Sequence, residues 1–102
     1  MNRDYVEKVE ENTHLLAKIS ENSPDEVFSI SRALRLIAAV RSRSPSGAIN
    51  QDIILDEAER CRTRYKWVLR KANRAPDYRT SILKQKAVLL RGDLMMLEAL
   101  AG

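Results

Sequence analysis

Between Asn50 and Arg74 the apolar residues Ile54, Ala58, Cys61, Tyr65, Val68 and Ala72 recur at alternating spacings of four and three. That period places all six on one stripe of a 3.6-residue helix and predicts a long amphipathic helix over 51–74, with Asn50 as its N-cap. Upstream, Tyr5, Val9, Leu16 and Ile19 keep a heptad spacing that predicts a helix over about 3–20, with Asn2 as its N-cap. Asn12 fills the remaining inward slot of that heptad. A polar residue there either sets register at a cost in stability or lies at the rim of the core, and the rim is the expectation.

Ser23-Pro24-Asp25-Glu26 has the composition of a capping box with proline at the first helical position, which predicts a helix over 24–43. Its buried stripe is Val27, Ile30, Ala33, Leu34, Ile37 and Val40, and its opposite face carries Phe28, Arg32, Arg35, Ala39 and Arg43. Pro45 and the neighbouring Ser and Gly residues stop that helix. Arg74-Ala75-Pro76-Asp77 is a second break, after which Asp77 is a cap candidate for a helix over 78–100. This last helix has two apolar seams about 100° apart. One is Leu83, Ala87, Leu90, Leu94 and Leu97; the other is Tyr78, Ile82, Leu89, Met96 and Leu100. Gly92 interrupts it at a cost of about 1 kcal/mol relative to Ala, which suggests a close approach or a bend. No run alternates like a strand. The expected fold is all-α, one domain of 102 residues folded as a small antiparallel bundle of about four helices.

Charge adds a polarity to this frame. The net charge is +4, yet residues 1–26 hold three basic and seven acidic side chains, whereas residues 60–79 hold eight basic and one acidic. The basic excess is therefore a patch, carried by the second half of the third predicted helix, where the helix dipole favours cations. Trp67 stands within it, flanked at helical spacing by Arg60, Arg64, Arg70, Lys71 and Arg74. A tryptophan among cations is either a contact residue for a partner or a packing residue under a neighbouring helix, with Arg and Lys stems over its edges.

The candidate chemistry is thin. Glu11 and His14 match one Glu-x-x-His metal-ligand spacing, but a di-iron bundle needs two such motifs and further glutamates, so no metal site is expected. Cys61 lies on the apolar stripe and cannot form an internal disulfide, which suggests a buried thiol in a reducing compartment. The first residues are dense in charged side chains where a secretory leader would need an apolar run, and no stretch approaches the roughly 18 apolar residues of a membrane span. A cytoplasmic protein is expected. No phosphate-binding glycine loop, zinc spacing or nucleophile elbow occurs, so neither an enzyme, a cofactor nor a small-molecule substrate is expected.

What remains is recognition. Arg32, Arg35, Arg60, Arg64, Trp67, Arg70, Lys71 and Arg74 form the expected binding surface, and its partner is expected to be nucleic acid or an acidic protein. The loop over 44–50 is longer than a helix-turn-helix connection, which favours phosphate-dominated contact over base reading in a groove. The competing expectation is an adaptor, anti-factor or assembly chaperone acting through the wide apolar face of the last helix. Ile82, Leu89, Leu94, Met96, Leu97 and Leu100 would then also serve a homodimer.

Overall fold

The computed structural model describes residues 3–102, and among them there are five helices and no strand. These are α1 (Arg3–Glu11), α2 (Thr13–Asn22), α3 (Ile30–Arg43), α4 (Gln51–Arg74) and α5 (Asp77–Ala101). No helix is long and apolar enough to cross a membrane. The all-α expectation holds; the count and two boundaries change. The suggested cap Asn2 lies outside the described residues.

The first predicted helix is divided at Asn12. There the backbone leaves helical geometry at φ −115° and ψ 19°, and the side chain is buried, not at a rim. Asn12 Nδ2 donates to the Lys8 carbonyl at 2.7 Å, while Thr13 Oγ1 donates to Val9 at 3.1 Å and to Glu10 at 3.0 Å. Two successive side chains thus take up carbonyls at the end of α1, the competition that bends or ends helices at Asn and Thr.

The second predicted helix begins six residues late. Pro24 O accepts from Val27 N at 2.9 Å and Phe28 N at 3.1 Å, a single turn that does not propagate. Ser23 Oγ is buried without a hydrogen bond, so the capping box does not form. Ser29 caps α3 instead, accepting from Arg32 N at 3.4 Å. The reason is tertiary: Val27 and Phe28 pack against the core, and Val27 Cγ1 approaches Gly92 of α5 so closely that a Cβ there would lie 3.5 Å away. Burial of two apolar side chains outweighs a cap worth about 1 kcal/mol.

α4 forms where its pattern predicts, with Asn50 Oδ1 accepting from Ile53 N at 3.0 Å. α5 starts at Asp77 without a side-chain cap, because Pro76 takes the cap position. The two-residue link Ala75-Pro76 turns the chain back, and α4 and α5 run side by side in opposite directions. Gln51 Nε2 at the start of α4 donates to the Ala101 carbonyl at the end of α5 at 3.1 Å, and further along Cys61 Sγ donates to Leu90 O at 3.3 Å.

α2 and α3 pack onto this hairpin, and α1 packs on α2 and α3. They cover only the end where α4 begins and α5 finishes. The largest fully buried side chains, Ile19, Ile37, Val40, Met96, Leu97 and Leu100, all lie there. α2 and α3 are 10 and 14 residues long against 24 and 25 for α4 and α5. At 1.5 Å per residue the shorter helices cannot cover the full hairpin. The outer half therefore projects, and the radius of gyration is 14.8 Å where about 13 Å is usual for a compact chain of this length.

Candidate nucleic-acid interface

The projecting half of the hairpin holds the basic patch. Beyond Arg62 the buried residues of α4 are Val68 and Ala72, and α5 has none before Ala87, so the long side chains of this region meet water. Trp67 keeps 51% of its surface exposed. It lies beside the seam between the two helices, on the wall of a recess of about 560 Å³ that it shares with Arg70, Lys71 and Arg74 of α4 and with Pro76, Arg79, Ile82 and Leu83. A second recess, of about 720 Å³, runs from Trp67 toward the covered half past Arg64, Leu89 and Lys86 and reaches Arg32 and Arg35 of α3. A third joins Trp67 to Arg60, Arg64 and Arg70 on the outer side of α4. Every residue of the expected surface thus borders a depression that Trp67 also borders.

They are not equivalent electrostatically. Arg32 Nε and Nη2 donate to Asp93 Oδ1 and Oδ2 at 2.7 and 2.6 Å, a bidentate pair whose two side chains are largely shielded from water. Asp93 holds the guanidinium above its ordinary pKa through these hydrogen bonds. Arg32 is therefore a staple between α3 and α5, a correction to its expected place among the contact residues: a cation already satisfied bidentately has little to offer a phosphate. Asp93 had a legible signal, a carboxylate set among the apolar seams of α5. Arg60 faces Asp56 at 4.0 Å in solvent, which screens but does not occupy it. Arg35, Arg64, Arg70, Lys71, Arg74, Arg79 and Lys86 have no ion-pair partner among the described residues. Arg62, by contrast, pairs with Glu59 and with Glu98, and Arg43 pairs with Asp56 and Glu57. Carboxylates thus pair Arg32, Arg43 and Arg62 on the covered half, whereas Arg70, Lys71, Arg74 and Arg79 on the projecting half have none.

Two aromatic rings on the projecting half carry cations. Lys71 Nζ stands 5.2 Å from the Trp67 ring centroid and Arg79 Cζ stands 5.6 Å from that of Tyr78, both within cation–π range. Arg79 belongs to the basic end that the sequence predicts, whereas Lys86 lay outside it; Lys86 follows Ile82 by four residues and precedes Leu89 by three, so it flanks the second seam of α5.

The expected oligomer face splits in two. Met96, Leu97 and Leu100 are each 1% exposed, and Leu94 packs against the same core. These four are corrected from interface to interior, because α2 and α3 fill the seams on that half of α5. Ile82 and Leu89 stay exposed, at 63% and 47%.

Cys61 is buried, and burial pushes its thiol up to about 11, so it stays protonated and unreactive at neutral pH. His14 is exposed, and among the described residues no group of three or more His, Cys, Asp or Glu side chains stands together as a metal site would need. No family model matches this chain, and neither does any curated protein or solved structure.

Proposed function

We propose that this chain is a non-catalytic accessory or regulatory protein, and that the projecting half of its α4/α5 hairpin docks nucleic acid by phosphate-dominated contact. The observation that carries the proposal is the unpaired state of Arg64, Arg70, Lys71 and Arg74 around a half-exposed Trp67. Cations held on rigid helices without carboxylate partners release phosphate counterions on binding and lose little by it. A cytoplasmic setting suits the single buried thiol.

The test is affinity for labelled DNA and RNA across a salt series. About five phosphate contacts give a log–log slope of roughly −3 to −5, depending on strandedness. Binding that ignores salt, or no binding even at low salt, removes this function.

One observation favours a second reading. Tyr78, Ile82 and Leu89 share one side of α5 and are 70%, 63% and 47% exposed, and such an apolar stretch suits an adaptor that captures an acidic amphipathic helix. That function would survive the failure of the salt test and would be lost in Ile82→Ser.

A further inference from the structure

We infer that the recess beside Trp67 receives an unstacked base, so that the preferred ligand is single-stranded nucleic acid and not a duplex. The inference deepens the function proposed above and rests on it. Its starting point is the place of the ring. Trp67 does not stand out as a wedge: half its surface is covered, and the remainder lines a recess whose opposite wall is Ile82 and Leu83 and whose end is Pro76. Bases stacked within a duplex cannot enter a depression in a protein surface, whereas a base swung out of a single strand can.

The chemistry of the recess suits a nucleotide. Its volume of about 560 Å³ falls in the range of sites that enclose small flat ligands. Trp67, Pro76, Ile82 and Leu83 give it an apolar lining, and Arg70, Arg74 and Arg79, which also line it, have no ion-pair partner among the described residues. An apolar slot with a cationic rim matches an aromatic base tethered to a phosphate. Lys71 over the Trp67 ring adds positive potential beside the slot. At the hairpin tip Tyr78, 70% exposed and accompanied by Arg79, repeats the arrangement of ring and cation and provides a platform for a further base. Such alternation of stacking platforms with cations is how single strands are held without sequence preference. The cations of α4 that point away from the recess serve the backbone of either form.

The test uses the full chain with oligo(dT), oligo(rU) and a mixed-sequence duplex of the same length, read by anisotropy and by the emission of the chain's one tryptophan. Single strands are expected to bind more tightly than the duplex and to quench Trp67; the DNA and RNA arms separate a general single-strand binder from one that needs the 2′-hydroxyl. Trp67→Ala is expected to cost roughly 5- to 150-fold in single-strand affinity, the range that stacking one base contributes, and to cost the duplex severalfold less. Trp67→Phe should restore most of the loss. Ile82→Ser, on the exposed opposite wall, should weaken single-strand binding selectively, and thermal melting of each variant shows whether the fold is intact. Equal affinity for both forms with unchanged emission overturns the base-receiving recess and leaves phosphate docking standing. Failure to bind any of the three probes at low salt overturns both.

Discussion

The two halves of the α4/α5 hairpin are built from one pair of helices, yet they live in different solvents. In the inner half Ile54, Ala58 and Cys61 share one core with Leu97 and Leu100 under a roof of α2 and α3, and Arg62 pairs with both Glu59 and Glu98. In the outer half the two helices have only each other. Along their contact the buried side chains are Val68, Ala72 and Ala87, with Tyr65 and Leu83 partly buried beside them, while Trp67, Ile82 and the cations are left to water. The difference lies in the roof and not in the helices. A region that cannot be buried by its own chain carries its apolar and charged surface outward, where it is useful for recognition and contributes little to stability.

The sharpest way to break that comparison is to truncate one large side chain in each half. Leu97→Ala should cost about 2–5 kcal/mol in urea unfolding, as a cavity in a closed core does, while Ile82→Ala should stay within about 0.5 kcal/mol. Comparable losses at the two sites would show that the outer half is part of the cooperative core. Next in size is the staple at the border. Arg32→Ala should lower stability by roughly 2–3 kcal/mol, somewhat less than for a fully buried pair because 27% of its side chain reaches water. Arg70→Ala, on the outer half, should leave the melting curve in place and weaken nucleic-acid binding instead.

A pH dependence follows from Cys61. The folded thiol is held up to about 11 by burial, against 9.0 in an open chain. Its contribution is therefore complete below pH 9 and is lost as pH rises through 11, since the unfolded chain ionises first; the loss amounts to no more than about 2–3 kcal/mol. Cys61→Val should show a shallower alkaline decline than the parent, and equal slopes would contradict the assignment. Gly92→Ala should raise stability by up to about 1 kcal/mol, because helix propensity favours alanine and the added methyl meets Val27 at an ordinary 3.5 Å. A loss on that substitution would mean that the inner half is packed too tightly for one carbon.

The weakest expected effect is self-association. With Met96, Leu97 and Leu100 enclosed, a twofold contact would keep only Ile82 and Leu89 of the expected face and would bring Arg79, Lys84 and Lys86 toward their copies. Sedimentation should show at most a weak dimer that strengthens with salt as repulsion is screened, the opposite sign to nucleic-acid binding. A tight dimer at low salt would show that this surface is an interface between copies.

Much of the fold could be read along the chain because it is set locally. α4 was legible from end to end: Asn50 caps it, a stripe spaced by four and three runs through it, and Ala75-Pro76 stops it. What escaped is what depends on distant partners. Ser23-Pro24-Asp25-Glu26 has every residue of a helix start, but Val27 and Phe28 are drawn into a core to which α5 contributes, Val27 meeting Gly92 far along the chain. Asn12 and Thr13 divide a helix because their side chains take up its last carbonyls, which the heptad position of Asn12 did not reveal. For the candidate site, the cationic side chains and Trp67 were visible as a pattern. The apolar wall opposite was not, since Ile82 and Leu83 reach Trp67 only through the antiparallel hairpin, and the loss of Arg32 to Asp93 joins residues from helices that periodicity does not pair.

The connection at the tip of the hairpin has a further consequence. Ala75 and Pro76 leave no slack between α4 and α5, and Pro76 fixes its own dihedral at φ −59°. The two walls of the recess are thus joined at one end by a two-residue link and at the other by packing. A ligand of the class proposed would then meet the slot already assembled and would order mainly side-chain rotamers. Encounter then proceeds without waiting for a conformational change, and selectivity among ligands is expressed in how long each one stays.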